Sequence, residues 1–259
     1  MPQFQPVKPV RTHESIVRQI EEAIYSGDVA PGQRLPSERE LVVQFGVSRA
    51  SVREALRDLQ SSGLLRSRPG DPSGGAEVQS FSSGVLQRSF TALVRLERLR
   101  LHELIEFRMV IEGSATYLAA LHRQDEHLRR IRKAHDVMRR LVGGDQEVFS
   151  QADVEFHQVI AEASGNQLIR VCNEVARGLV LGLIGEKLAR SSDLTELQAD
   201  SCRRHGRVLA MIKKRDAVEA AHLARLDLAE YYGPYVDPAE ADELLALANR
   251  DLTLSLIHI

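Results

Sequence analysis

The stretch from residue 35 to residue 65, LPSERELVVQFGVSRASVREALRDLQSSGLL, constrains the fold more than any other part of the chain. Ser37 followed three residues later by Glu40 is a capping box, which predicts the start of a helix. Gly46 supplies a left-handed residue that ends this helix, and Ser48 caps a second helix two residues later. Because so short a connection makes the two helices cross steeply, the pattern predicts a helix-turn-helix.

The second of these helices has two chemically different faces. Apolar side chains form a stripe with helical spacing, at Val52, Ala55, Leu56 and Leu59. Arginines recur every four residues on the other side, at Arg49, Arg53 and Arg57. The alternative to a DNA-reading face is a solvated charged face, on which Glu54 and Asp58 pair with the arginines. Because the caps, the turn length and the arginine positions agree, we favour the DNA-reading face.

Composition excludes several classes of protein. At 259 residues, 43% hydrophobic and 27% charged, the chain is an ordinary globular protein with room for two domains. Its two cysteines have no CxxC spacing, so neither a disulfide framework nor a cysteine zinc site is indicated. The sequence shows no signal-peptide pattern and no long apolar run, so we expect a cytoplasmic protein.

The charge balance restricts how this chain contacts nucleic acid. Its net charge is −2, and residues 1–80 carry ten Lys or Arg and ten Asp or Glu. A neutral domain has no broad attraction for phosphate. Any DNA contact must therefore be made by a few placed arginines, which suits a module that reads sequence.

The pattern of apolar residues predicts a mainly α protein with two domains. Residues 13–79 read as a winged helix-turn-helix, with a first helix from Ser15 to Ser26 and a wing strand at Leu64 to Ser67 before the tip RPGDPSGGAEV. Residues 80–233 read as an all-α antiparallel bundle of six or seven helices, near 84–99, 101–122, 125–141, 147–163, 167–189, 195–213 and 217–232.

The two ends of the chain are less informative. We expect residues 1–12 to be flexible. Residues 234–259 contain a plausible helix from about Ala239 to Asn249, followed by an apolar end at Leu252 to Ile259 to which no structure is assigned.

The run from Gly32 to Gly63, PG-x-x-LPSERELV followed by FGVSRASVREALRDLQ-x-x-GLL, resembles the GntR-type transcription regulators. The resemblance spans roughly residues 12 to 232 and is to the FadR subfamily, whose C-terminal half is an FCD domain. It implies that arginines of the helix-turn-helix contact operator DNA and that the glycine at the wing tip approaches the minor groove. Pro69 stands where some relatives carry histidine, so Arg68 is the expected wing donor. The candidate DNA contacts are Arg39, Arg49, Ser51, Arg53, Arg68 and Gly70.

Two pairs of polar residues point to a site in the helical half. Asp153 and His157 are four residues apart and share one helix face, so they can hold one ion or form a surface ion pair. A capping box at Asp216 predicts that a new helix starts there. His205 lies eleven residues before this turn and Asp227 eleven after it, so an antiparallel hairpin brings them level with each other.

The resemblance adds a ligand set to these residues. FCD domains commonly hold a divalent metal with one aspartate and three histidines, and Asp153, His157 and His205 match three of those positions. The fourth histidine falls at Asp227, which is a departure from the family. We therefore expect a zinc, nickel or manganese ion with a carboxylate at the fourth position. Three ligands plus water, or no metal, are the alternatives.

Two further residues are candidates for binding a small effector. Arg108 matches an arginine that points into the ligand cavity of FCD relatives, where a guanidinium could clamp a small carboxylate. Its alternative is an ion pair with Glu112, four residues on. Asn166 is the second candidate, and its alternative is capping the helix that follows it.

Together with the resemblance, the sequence indicates a cytoplasmic, homodimeric transcription regulator. We expect two winged domains to read a palindromic operator, with a small carboxylate bound near the metal controlling operator affinity, most commonly as relief of repression. The alternatives are a metal-dependent enzyme or an effector-independent DNA-binding protein. The chain contains no HExxH, GxSxG or P-loop motif, so we expect no enzymatic activity.

Overall fold

The structure is a computed structural model that describes residues 12–66, 75–79, 83–189 and 194–250. The chain divides into two compact units, with the boundary between Val85 and Leu86. No described helix combines the length and the apolar character that crossing a lipid bilayer requires.

The described part of the first unit contains three helices and a small sheet. They follow in the order α1 (Thr12–Tyr25), α2 (Glu38–Phe45), α3 (Arg49–Ser61), β1 (Leu65–Arg66) and β2 (Glu77–Val78). The strands are antiparallel, with Leu65 opposite Val78. The base of the predicted wing is therefore present, and its predicted tip, residues 67–74, lies outside the described residues.

The helix ends in this unit follow from local hydrogen bonds. The Ser37 hydroxyl accepts the Glu40 amide at 3.4 Å, and the Glu40 carboxylate accepts the Ser37 amide at 2.8 Å. Gly46 then adopts a left-handed φ of 64°, and the Ser48 hydroxyl accepts the Ser51 amide at 3.2 Å. These bonds confirm the predicted ends of α2 and the predicted start of α3.

The core of the first unit lies where α3 meets the other elements. The four predicted apolar residues of α3 are buried against residues of α1, α2 and the sheet, namely Ile16, Ile20, Leu41, Leu65 and Val78. Gly75 carries the chain back from the wing with a φ of 88°, and a Cβ there would lie 2.1 Å from the Leu35 carbonyl oxygen. Only glycine fits at that position.

Eight more helices follow in the described part of the chain. They are α4 (Ser83–Leu96), α5 (Leu101–His122), α6 (Asp125–Leu141), α7 (Gln146–Ala163), α8 (Gln167–Ala189), α9 (Leu194–Lys214), α10 (Ala217–Tyr232) and α11 (Pro238–Ala248). A short 3-10 turn, Gly233–Tyr235, joins the last two. The fold is mainly α, as the periodicity predicted, because short polar turns separate long amphipathic runs.

Two apolar clusters hold this bundle together. The first lies among α5, α6, α7, α9 and α10 and includes the fully buried Ile131, Met138 and Ile212. The second lies among α4, α5, α8, α10 and α11 and includes Ile105, Met109 and Leu244.

The helix α11 belongs to the bundle. Leu244 and Ala248 are completely buried in the second cluster, and His222 of α10 lies 3.1 Å from the Ala248 carbonyl. The packed helices therefore extend beyond residue 233, where the sequence predicted the end of the bundle. The apolar end predicted as unassigned, from Leu252 onward, lies outside the described residues.

Candidate functional site

The exposed side of α3 carries the arginines expected to read DNA. The side chains of Arg49 and Arg53 are 69% and 59% exposed, and both approach the Glu38 carboxylate, at 3.8 Å and 3.1 Å. Ion pairs this exposed are worth about 0–1 kcal/mol, so a phosphate or a base can readily replace Glu38. Arg39 is exposed at the start of α2, and the Ser51 hydroxyl lies 3.0 Å from the Ser48 hydroxyl.

The partners of these arginines differ from those considered from the sequence. Glu54 and Asp58 lie 3.5 Å and 3.7 Å from the His13 ring, whereas Glu38 on the preceding helix faces Arg49 and Arg53. Sequence spacing along one helix could not reveal this pair, because it depends on how α2 crosses α3. The remaining candidates, Arg68 and Gly70, lie outside the described residues.

The helical unit encloses a cavity of about 110 Å³ between α5, α7, α8, α9 and α10. Its lining combines apolar side chains with charged and histidine side chains. The polar residues that matter here are Arg108, Glu112, Asp153, His157, Arg177, Arg204, His205 and Asp227. A concave site with a few convergent polar groups is the usual form of a small-molecule site.

Three side chains converge at one point of this cavity. Asp153, His157 and His205 each offer a ligand atom, and these atoms lie within 4.8 Å of one another. Oδ1 of Asp153 is 2.8 Å from Nε2 of His205 and 3.7 Å from Nε2 of His157. Two imidazole nitrogens and one carboxylate oxygen are a donor set that suits zinc and other first-row divalent ions.

A second carboxylate orients one of the histidines. Nδ1 of His157 donates to Oε1 of Glu112 at 2.6 Å, which leaves Nε2 directed at the Asp153 side. A metal-binding histidine characteristically donates its other ring N–H to such a carboxylate. The residues present therefore fit a metal ion, with Asp153, His157 and His205 as ligands and Glu112 behind them.

The local charges set the protonation of this cluster. Burial alone would raise the pKa of the Asp153 carboxyl, but Arg177 and His157 hold that pKa well below its usual range. Burial works to lower the pKa of His157, whereas Glu112 and Asp153 raise it overall. For His205 burial prevails and lowers the pKa. Asp153 is therefore a carboxylate and His205 a neutral imidazole, which are the forms that bind metal.

Two buried arginines flank the cluster. Arg108 is 3% exposed and donates through Nε to Glu112 at 3.0 Å and through Nη1 to the Tyr232 hydroxyl at 2.6 Å. Arg177 donates through Nη2 to Oδ2 of Asp153 at 2.5 Å. Arg108 thus forms the ion pair with Glu112, which was one of the two interpretations of this residue from the sequence. Its side chain also lines the cavity.

The residue pattern alone does not reveal the roles of Glu112, Arg177 and Tyr232. Helix spacing predicts Glu112 only as a partner of Arg108, whereas in the structure it contacts both Arg108 and His157. The signal for Arg177 was present, because it is a lone charge within the apolar run VARGLVLGL. A charge on such a run is buried only when a partner compensates it.

Asp227 lies in the same cavity with a different partner. Its Oδ1 accepts from Nη2 of Arg207 at 2.8 Å, and the three-residue cluster does not include it. Burial raises the pKa of Asp227 to about 6, against the opposing effect of Arg207. Asp227 of α10 and His205 of α9 thus both line the cavity, and Oδ1 of Asp227 pairs with an arginine where the sequence predicted a metal ligand.

Asn166 does not reach the cavity lining. It is exposed before α8, where Oδ1 accepts the amides of Leu168 at 3.0 Å and Ile169 at 3.1 Å. This is the helix-capping geometry that was its alternative interpretation. The effector role predicted for Asn166 finds no support in this position.

The raised pKa of Asp227 predicts a pH dependence of stability. Because the folded protein holds this proton more tightly than the unfolded chain, the stabilising contribution is present below about pH 4 and is lost as the pH rises through about 6. In metal-free protein, the free energy of unfolding in urea should fall by about 1 kcal/mol more between pH 5 and pH 7.5 in wild type than in Asp227→Asn. Equal pH profiles for the two proteins would contradict it.

Both units of the chain match known protein families. Residues 12–74 match the family described as bacterial regulatory proteins of the gntR family, and residues 103–230 match the FCD domain. The transcriptional repressor NanR of Cronobacter sakazakii is 32% identical over 226 residues, covering 83% of this chain and 82% of that protein. The transcriptional regulator LutR of Bacillus subtilis is 32% identical over 147 residues, covering 57% of this chain and 65% of that protein.

A solved structure shares the fold. The GntR protein of Streptococcus agalactiae matches with a TM-score of 0.60 and 23% identity, over 84% of this chain and 98% of that chain. The family and these relatives are transcription regulators and not enzymes. The chain belongs to the GntR family of transcription regulators, with an FCD domain as its helical half.

Proposed function

We propose that this regulator is a ligand-responsive repressor, in which a small carboxylate bound in the helical unit controls operator affinity. One observation carries the proposal. The cavity brings Asp153, His157 and His205 together with two buried arginines, Arg108 and Arg177. A core of helices that served only for dimerisation would have no need of five charged or ligating groups around one cavity, because burying them is costly.

The DNA-reading part of the proposal rests on α3. Arg49 stands at its N-terminus, where side chains of a recognition helix reach base edges, and a guanidinium matches guanine O6 and N7. Arg53 follows one turn later, Arg39 is placed for phosphate, and Ser51 is a further candidate. The wing residues Arg68 and Gly70 complete the proposed contacts.

We propose that the metal ligands are Asp153, His157 and His205. A divalent ion held by three protein ligands keeps open coordination positions and supplies positive charge that attracts an oxygen anion. Glu112 fixes the ring of His157, and Arg177 takes the second oxygen of Asp153, so that Oδ1 alone faces the histidines. Zinc, nickel and manganese all accept this donor set.

Arg108 and Arg177 favour an anion as the effector. Glu112 and Tyr232 engage only Nε and Nη1 of Arg108, and a guanidinium carries five N–H donors. The planar fork of arginine matches a carboxylate. A small organic acid is therefore the class of effector that this lining fits.

The family supports a proposal for the assembly and for the direction of control. GntR regulators bind operators and are typically dimeric, and the relative from Cronobacter sakazakii is named a repressor. We propose a cytoplasmic homodimer whose two winged domains, residues 13–79, read a palindrome, while residues 80–233 hold the effector. The effector weakens DNA binding to the extent that it prefers the DNA-free conformation.

The proposal predicts that a small acid releases DNA. The zinc-loaded protein is titrated against a labelled duplex enriched from random DNA, with and without each member of a panel of small carboxylic acids. At least one acid should shift the binding midpoint by about tenfold or more, in keeping with usual allosteric couplings. Fluorescence anisotropy measures the midpoint.

The matched variant is Arg108→Lys, which keeps the charge and loses the planar fork. It should bind DNA within about threefold of wild type without acid and should lose most of the response to it. A panel that leaves the midpoint of the wild type unchanged would contradict the proposed effector class.

A further inference from the structure

Only one oxygen of the Asp227 carboxylate has a hydrogen-bond partner among the described residues. Its side chain is 9% exposed, and Oδ1 accepts from Arg207. Oδ2 is buried and has no hydrogen-bond partner among the described residues, although Asp227 lines the cavity. Buried polar atoms in native proteins nearly always have a partner, so Oδ2 is an open acceptor for a donor that the described residues do not supply.

The metal cluster does not account for this oxygen. The three ligand atoms that converge belong to Asp153, His157 and His205, and Asp227 is outside that group. The ion pair with Arg207 at 2.8 Å holds Oδ1 away from a role as a metal ligand. Asp227 therefore contributes an acceptor oxygen to the cavity wall that is separate from the three converging ligand atoms and has no donor among the described residues.

The charges beside Asp227 decide what kind of donor fits. Arg207 already compensates the carboxylate, and Arg204 lines the same cavity next to Tyr231, with its guanidinium 5.5 Å from that ring. Because Arg207 already forms the ion pair with Asp227, Oδ2 needs only one more hydrogen-bond donor, and a neutral hydroxyl supplies it without the cost of bringing a further charge into a buried wall. The wall therefore favours an O–H donor over an N–H donor that carries charge.

We propose that Asp227 is a specificity-determining residue, which accepts a hydrogen bond from a hydroxyl group of the effector and is not a metal ligand. The inference rests on the proposed function, because the carboxylate of the same molecule occupies the side of the cavity with Arg108 and Arg177. The effector is then an acid that carries a hydroxyl group apart from its carboxylate. An acid of similar size without that hydroxyl leaves Oδ2 unpaired and binds less tightly.

The test uses two sets of matched acids and calorimetric titration of the zinc-loaded full-length protein. One set is 3-hydroxypropionate, propionate and β-alanine, and the other is 4-hydroxybutyrate, butyrate and 4-aminobutyrate. In at least one set, wild type should bind the hydroxy acid about 10- to 100-fold more tightly than either partner, as expected for a hydrogen bond to a charged group. Asp227→Ala, which removes the acceptor and leaves no polar side-chain atom at this position, should lose that preference and bind the unsubstituted acid about as tightly as wild type does.

Glu230→Gln is the matched control, because Glu230 lies on the same helix, 3.9 Å from Arg207, and is not among the residues that line the cavity. This variant should keep the preference for the hydroxy acid. Equal binding of the hydroxy and unsubstituted acids by wild type, or a preference that survives in Asp227→Ala, would overturn the inference while leaving the carboxylate clamp intact. The second result would mean that a group other than Asp227 accepts the hydrogen bond of the hydroxyl.

Metal content supplies a readout that is independent of the acids. Zinc bound per chain in Asp227→Asn should equal that of wild type. A loss of zinc comparable to that of His205→Ala would make Asp227 a metal ligand and overturn the inference. If no acid binds to wild type at all, the proposed effector class fails, and the assignment of Asp227 to an effector fails with it.

Discussion

Replacing Arg49 by alanine is expected to abolish sequence-specific binding of the operator. Arg49 begins α3, is 69% exposed and has the weakly held Glu38 as its partner. One bidentate contact to a guanine discriminates against other bases by about 1–3 kcal/mol. In the proposed homodimer the loss occurs at both half-sites, so the affinity should fall by about 30-fold to 10⁴-fold.

The neutrality of the N-terminal domain makes this effect larger than it would be in a basic protein. Ten positive and ten negative side chains over residues 1–80 leave no surplus of charge that could hold DNA when a base contact is lost. Binding of the variant should therefore approach the non-specific level, and the preference for the selected duplex should disappear.

Anisotropy titrations with the selected duplex and a scrambled duplex measure both quantities. Arg57→Ala is the control, because Arg57 is exposed on the same helix two turns further along. It should weaken binding of both duplexes alike and keep the preference, as expected for a phosphate contact. Sequence-specific binding retained by Arg49→Ala would refute the assignment of α3 as the reading helix.

The second large effect is expected at the proposed metal site, where replacing either His157 or His205 by alanine should abolish zinc binding. Each change removes one of three donors within 4.8 Å of one another. It also leaves the Asp153 carboxylate with one fewer compensating partner in a buried site. Zinc bound to protein purified without chelator should fall from about one ion per chain to near zero.

A milder substitution distinguishes the proposed metal ligand His157 from the carboxylate that orients it. Glu112→Gln keeps the shape of the side chain behind His157 and weakens the hydrogen bond at Nδ1, so zinc affinity should fall by about 10- to 100-fold without vanishing. His222→Ala is the matched histidine control, because His222 contacts the Ala248 carbonyl and is not part of the cluster. Zinc content and zinc-dependent thermal stabilisation measure these effects, and equal zinc in wild type and His157→Ala would refute the metal site.

Much of the fold could be predicted because its signals are local. Caps such as Ser37 with Glu40 and Ser48 with Ser51 act over three residues, so the sequence shows where α2 and α3 begin. The predicted runs of the bundle likewise agree with the observed helices to within about three residues at each end. The helix α11 was harder to place, because only its burial against α5 and α10 shows that it belongs to the bundle.

By itself, the sequence determined the helices, the exposed arginine side of α3 and the shared helix face of Asp153 and His157. These properties depend on spacing along one element and on bonds between near neighbours. The tertiary structure alone decided that Glu112 orients His157, that Arg177 takes one oxygen of Asp153, and that Asp227 pairs with Arg207. Such partners come from different turns or different helices, and the rotation of each helix in the packed bundle selects among them.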